Sequence, residues 1–170
     1  VQGPRTLPRL HGLLEGGAET LPSDLHGVAP CRLGDTDAIA FRASLTGEDG
    51  FLFMTERADR DRLLDALTAT GIPCIPEDAR EALRIEAGIP LWGRDMDATT
   101  RISETPLEQN AVSYTKGCYT GQEVIAKATY IGQVNRLLVG LVFPEGAEDV
   151  AAGDPVRFAD KEVGRITSLV

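Results

Sequence analysis

The apolar positions fall into two alternating textures. Leu7, Leu10, Leu13 and Leu14 recur at helical spacing, with Pro4 in the first turn and Gly16-Gly17 as a stop. From Val28 to Leu45 the pattern turns β-rich in AIAFRASL, and TGEDG then forms a turn into the strand Phe51–Met54. Leu63, Leu64 and Leu67 predict an amphipathic helix over 59–70, closed by Gly71 and Pro73. A second helix is predicted from Pro76 or Glu77 to about Ala87, with Gly88 as its breaker. Residues 88–115 are the least regular stretch, and a loop of that length is commonly functional or a domain crossing. A helix follows Cys118, and strands are expected over 135–143, 155–158 and 162–170. The order predicts an α+β chain: an α/β domain over 1–131, then part of a C-terminal β-barrel over 132–170.

Composition narrows the partners. Of 170 residues, 42% are hydrophobic and the net charge is −9, which disfavours broad, salt-driven nucleic-acid binding. An anionic ligand then needs a local Arg or Lys cluster. No run reaches the roughly 18–20 apolar residues of a membrane span, and the first residues, VQGPRTLPRL, show no signal-peptide pattern. The expected location is the cytoplasm. Cys31, Cys74 and Cys118 are scattered and odd in number, which argues against a disulfide framework. With only His11 and His26 and no CxxC, no metal site is expected. The opening Val1 and the strand-like close GRITSLV give both ends the look of cut ends.

Three stretches carry candidate chemistry. In KGCYTGQE (116–123), Thr120 and Glu123 fit a capping box, and Glu123 and Lys127 form an i,i+4 pair. Both assignments make Glu123 and Lys127 structural. Cys118 then lies just before a helix N-terminus with Lys116 nearby, surroundings that favour the thiolate. A small buried hydrophobe is the competing reading for Cys118, and the expected one for Cys31 and Cys74. In TGEDG (46–50), Glu48 is either part of a solvated turn or a carboxylate for paired N–H donors of a heterocycle. In LRIEAG (83–88), Arg84 serves a helix C-terminus or a ligand carboxylate. The chain contains neither GxGxxG nor a Walker A loop, so a Rossmann or P-loop nucleotide site has no support. The SxxK match at Ser113–Lys116 stands without its companion motifs.

KGCYTGQE resembles the signature of the YgfZ-type folate-binding family. VQGP, LTGEDGFLF, LRIEAGIPLWGRDMD and TPLE resemble, in order, motifs of the superfamily that contains the glycine-cleavage T-protein, an aminomethyltransferase. The resemblance covers nearly the whole chain. It implies a tetrahydrofolate-binding domain that lacks the N-terminal part of the fold, followed by a partial barrel. It also implies a cytoplasmic or organellar accessory protein that supports iron–sulfur enzymes or assembly proteins, including enzymes of tRNA modification. Iron–sulfur clusters would be met only through those partners. Carried over by position, Glu48 would contact the pterin and Arg84 the folate body or its glutamate tail. Cys118 would be the functional thiol with Lys116, their loop shaped by Gly117, Tyr119, Gly121, Gln122 and Glu123. Leu45 and Lys127 replace an aromatic and an arginine usual in the family, and the T-protein's catalytic aspartate belongs upstream of the QGP motif. A folate-dependent aminomethyl- or related one-carbon transferase is the alternative. A partner-binding scaffold with a vestigial folate pocket is a third.

Overall fold

Three runs of the first half pair as an antiparallel sheet in chain order: β1 (Val28–Leu33), β2 (Thr36–Arg42) and β3 (Phe51–Met54). A two-residue turn joins β1 to β2, and the register runs from Leu33 opposite Thr36 to Val28 opposite Phe41. The structure is a computed structural model describing residues 1–130, 132, 134–143 and 149–170. The described chain is mixed α/β and divides into two compact units, Val1–Leu83 and Arg84–Val170.

In the first unit, alternation along β2 sends Thr36, Ala38 and Ala40 to the buried side while Asp37 and Ile39 stay exposed. That face packs with Leu10, Leu14, Leu21, Leu33, Phe51 and Leu63 into one core. Phe51 is 1% exposed, and a buried phenylalanine contributes about 3–5 kcal/mol against truncation to alanine. Helix α1 (Thr6–Leu10) is shorter than its leucine spacing predicts. Beyond Leu10 the backbone pairs with β1 instead: Glu15 N–H donates to the Arg32 carbonyl at 3.0 Å, and Gly34 N–H to the Leu13 carbonyl at 2.8 Å. Those tertiary bonds replace further helical turns while Leu14 still reaches the core. Helix α2 (Arg60–Ala69) places Leu63 and Leu67 in the core as expected, while Leu64, expected on the same inward face, is exposed.

Helix α3 (Glu77–Glu86) matches its predicted span and crosses the division between the units. The long irregular stretch after it holds a 3₁₀ turn at Ile102–Glu104 and the short helix α4 (Glu108–Ala111). Helix α5 (Gln122–Tyr130) follows the cysteine motif, and β4 (Pro155–Phe158) pairs antiparallel with β5 (Lys161–Arg165). The strand expected over 135–143 does not form: 134–143 has no regular secondary structure. Its Leu138 N–H donates to the Glu104 carbonyl at 2.7 Å, while β4 and β5 pair with each other. LLVGLV lacks the alternation that would settle one face on a core, which leaves its register unspecified. The last strand stops at Arg165, short of Val170. The expected boundary at 131/132 rests on residue 131, outside the described residues.

Candidate functional site

The TGEDG loop links β2 to β3 in the first unit, and its neighbours fix it from both sides. On one limb the Gln2 side chain donates through Nε2 to the Ala43 carbonyl at 2.6 Å. Its Oε1 accepts from the Leu45 amide at 2.7 Å and the Thr46 hydroxyl at 3.1 Å. On the other limb Asp49 receives a two-pronged contact from Arg42, with Nε at 3.1 Å and Nη2 at 2.9 Å. The same guanidinium donates to the Ser23 carbonyl and lies over the Phe51 ring, 5.9 Å from its centroid. Such a fork fixes direction as well as distance. Asp49 is therefore committed to the scaffold. Glu48, one residue before it, is exposed and has no hydrogen-bond or ion-pair partner among the described residues. A carboxylate held on a fixed loop with free lone pairs can accept two parallel N–H donors from a ligand.

Arg84 occupies the last turn of α3 in the second unit and is placed very differently. It is 3% exposed, and its guanidinium is consumed inside the protein. Nη1 donates to the Asp95 carboxylate at 2.7 Å and to the Ile89 carbonyl, and Nη2 donates to the Ser168 hydroxyl at 3.0 Å. Asp95 in turn accepts from the Leu91 amide at 2.9 Å and from the hydroxyls of Thr167 at 2.6 Å and Ser168 at 2.5 Å. Burial alone would raise the Asp95 pKa. The Ser168 and Thr167 hydroxyls, the Leu91 amide and the Arg84 charge outweigh it and hold the carboxyl below its ordinary value. This is a closed charged network tying the 84–95 segment to the chain end at 167–168. Sequence reading found Arg84 but not Asp95, Thr167 or Ser168. Asp95 lies within the quoted LRIEAGIPLWGRDMD, yet only the fold pairs it with residues more than seventy positions away.

The cysteine motif is also in the second unit. Lys116, Gly117, Cys118 and Glu123 are exposed, while Tyr119 and Gln122 are half-buried. The Lys116 amide donates to the Ser113 hydroxyl at 3.1 Å, and the Gln122 amide to the Tyr119 carbonyl at 3.2 Å. The expected capping box is not the geometry found. Gly121 takes φ +90° and accepts from the Val124 and Ile125 amides, so it caps α5 in place of Thr120. A φ of that sign suits glycine and is foreign to a helical first residue. Glu123 instead holds Lys127 at 2.7 Å, the predicted i,i+4 pair, with both side chains mostly in water. Cys118 is thus not buried, and Cys74 is exposed as well. Cys31 alone packs against the core, where burial raises its pKa. Tyr114, just before the motif, and Tyr130, at the end of α5, meet edge-to-face at 6.3 Å beside an open groove of about 330 Å³ shared with Glu108 and Gln109.

Among the described residues no cluster of His, Cys, Asp or Glu forms a metal-binding set, and no helix is long and apolar enough to cross a membrane. The structure gives Glu48 in one unit, and Arg84 and Cys118 in the other.

The described chain is thus a mixed α/β fold with an exposed acid on a braced loop after its second strand. The family described as the GCVT N-terminal domain matches residues 1–116, and the chain belongs to that family. It is 31% identical over 174 residues to an aminomethyltransferase of Streptomyces avermitilis, covering 99% of this chain and 46% of the relative. Aminomethyltransferases of Synechococcus elongatus and Alcanivorax borkumensis are each 33% identical, covering 99% of this chain and 44% and 45% of their own lengths. The chain spans about half the length of the curated relatives it matches. The resemblance to the T-protein superfamily is shown by these matches. Of KGCYTGQE, the narrower YgfZ-type signature, only Lys116 lies inside the family match.

Proposed function

We propose that this chain is the tetrahydrofolate-binding part of an aminomethyltransferase-type one-carbon transferase. The observation that carries the reading is the Glu48 loop, in which the Gln2 amide, Arg42 and Asp49 serve the scaffold and the Glu48 carboxylate does not. Glu48 would accept two N–H donors of the reduced pterin, in keeping with the named activity of the relatives. The folate, when bound, supplies the one-carbon carrier chemistry. The residues present fit it at Glu48. Arg84 enters the reading as the residue that fixes the 84–95 segment through Asp95, since its guanidinium faces the protein interior. The folate module is proposed to extend over residues 1–131, with residues 132–170 beginning a barrel, and the protein to act in the cytoplasm.

Calorimetric titration of the full chain with tetrahydrofolate tests this. Wild type should bind. Glu48→Ala should lose at least about tenfold in affinity, the scale of one charge-assisted pair of hydrogen bonds. Unchanged binding by Glu48→Ala, or none by wild type, sinks the proposal.

A second reading rests on one separate observation, the exposed Cys118 of KGCYTGQE. It makes the protein a folate-binding accessory of iron–sulfur proteins and of iron–sulfur-dependent tRNA modification. Cys118, assisted by Lys116, would be the working thiol, and Gly117, Tyr119, Gly121, Gln122 and Glu123 would shape its loop. Cys118→Ala separates the two. The transferase reading leaves folate affinity and aminomethyl transfer intact in that variant, whereas the accessory reading expects failure to rescue a tRNA methylthiolation defect.

A further inference from the structure

The first three residues run antiparallel beside the start of β3. Val1 and Phe51 exchange main-chain hydrogen bonds of 2.7 and 2.8 Å, and the Gly3 amide donates to the Asp49 carbonyl at 2.8 Å. The approach is close enough to require glycine opposite it. A Cβ on Gly50 would lie 2.3 Å from the Val1 carbonyl oxygen and 2.7 Å from Gln2 Cα. From this anchored backbone the Gln2 amide spans the base of the TGEDG loop, touching Ala43, Leu45 and Thr46 on the limb that leads to Glu48. Gly3 and Arg42 hold Asp49 on the limb that leaves it. Glu48 therefore projects from a segment whose two ends are each tied to parts of the chain distant in sequence.

We infer that Gln2 is a positioning residue for Glu48: its side-chain amide sets the backbone of the loop so that the Glu48 carboxylate is presented to its ligand already oriented. The inference rests on the reading of Glu48 as a ligand-facing acid. Loss of the amide frees the Leu45 and Thr46 donors and the Ala43 acceptor, and binding must then order the loop that the free protein no longer orders. Gln2→Glu keeps the two accepting contacts and loses the donation to Ala43. It therefore falls between wild type and Gln2→Ala.

The test is a double-mutant cycle in tetrahydrofolate affinity, paired with amide hydrogen exchange in the full chain. Gln2→Ala should weaken binding about tenfold, Gln2→Glu less, and Gln2→Ala should add at most about twofold in a Glu48→Gln background. The Leu45 amide should exchange faster in Gln2→Ala while the Ala40 amide, in the buried middle of β2, keeps its protection. A residue that merely stabilised the fold would lower affinity equally in both backgrounds and would loosen Ala40 too. Equal losses, wild-type affinity in Gln2→Ala, or an unchanged Leu45 amide each overturn the inference while leaving Glu48 in place. Absence of folate binding by wild type removes the folate reading first and this role with it. If Gln2→Ala does not fold, Gln2→Glu carries the affinity comparison: a loss in wild type that does not shrink in the Glu48→Gln background, or no loss at all, overturns the inference.

Discussion

Two charged residues picked out by the same family motifs, Glu48 and Arg84, sit in opposite physical situations. Around Glu48 the amide and charged neighbours are satisfied by one another: Gln2 by three backbone or hydroxyl contacts, Arg42 by Asp49 and Ser23. The acid itself stays in water without a partner among the described residues. Around Arg84 the charge is the centre of the network, 3% exposed and matched by Asp95, the Ser168 hydroxyl and the Ile89 carbonyl, with Asp95 held in turn by Thr167, Ser168 and the Leu91 amide. A motif match cannot distinguish these cases, because both roles require the residue to be charged. The hydrogen-bond inventory does. A group whose neighbours are satisfied without it is available to a ligand, and one on which they depend belongs to the scaffold.

The sharpest way to break that contrast is to remove one acid from each place and measure stability. Asp95→Ala leaves the Arg84 guanidinium buried without its counter-charge, a change expected to cost about 3–5 kcal/mol. Glu48→Ala removes an exposed, unpartnered group and should stay within about 0.5 kcal/mol of wild type. Urea unfolding followed by fluorescence of Trp92, the one tryptophan and a member of the same unit as Asp95, reports the first. Far-ultraviolet dichroism reports the second. Comparable losses for the two variants would show that the loop acid is structural after all.

Acid titration sharpens the same point with a smaller effect. The Asp95 carboxyl is depressed in the folded chain, so its contribution is fully present above the unfolded carboxylate value of about 3.9. It is lost as pH falls below that and through the folded pKa. Wild type should therefore lose stability on acidification over this window more steeply than Asp95→Asn, in which no proton is taken up at that position. Parallel pH profiles for the two proteins would remove Asp95 from the acid response.

Much of the secondary structure was legible, because α2, β2 and β3 each set an apolar face on a core, and α3 is bounded by Pro76 and Gly88 although its buried residue is Arg84. Helix α1 was over-extended since the sequence does not reveal that residues beyond Leu10 find backbone partners in β1. The strand over 135–143 was read from residue preference alone, without an alternating face or a turn that fixes a partner. For the candidate site, local reading found the charged residues but not the groups that decide their roles. Gln2 acts on residues 41 to 44 positions away and Asp95 on residues 72 and 73 away. Those contacts exist only once the fold is made. A signal was available for Gln2, in the VQGP segment, but its spacing to TGEDG carries no chemistry until the two are side by side.

The start of α5 offers the finest distinction between scaffold and free group. If Thr120 capped the helix, Thr120→Ala would cost about 0.5–2 kcal/mol. In this structure Gly121 occupies the cap, so the substitution should change stability by less than about 0.5 kcal/mol. Lys127→Ala breaks the 2.7 Å contact to Glu123, but with both side chains mostly exposed the loss should also stay near 0.3–0.5 kcal/mol, roughly the value of a surface i,i+4 pair. The two variants respond differently to salt. The Lys127→Ala effect should fade as ionic strength rises, whereas a true cap at Thr120 would be indifferent to it. A salt-insensitive loss above about 0.5 kcal/mol in Thr120→Ala would mean that the capping box forms and that the helix starts one residue earlier. That shift would bring the helix N-terminus one residue closer to Cys118, the one change at this end of α5 that would strengthen the case for a working thiol.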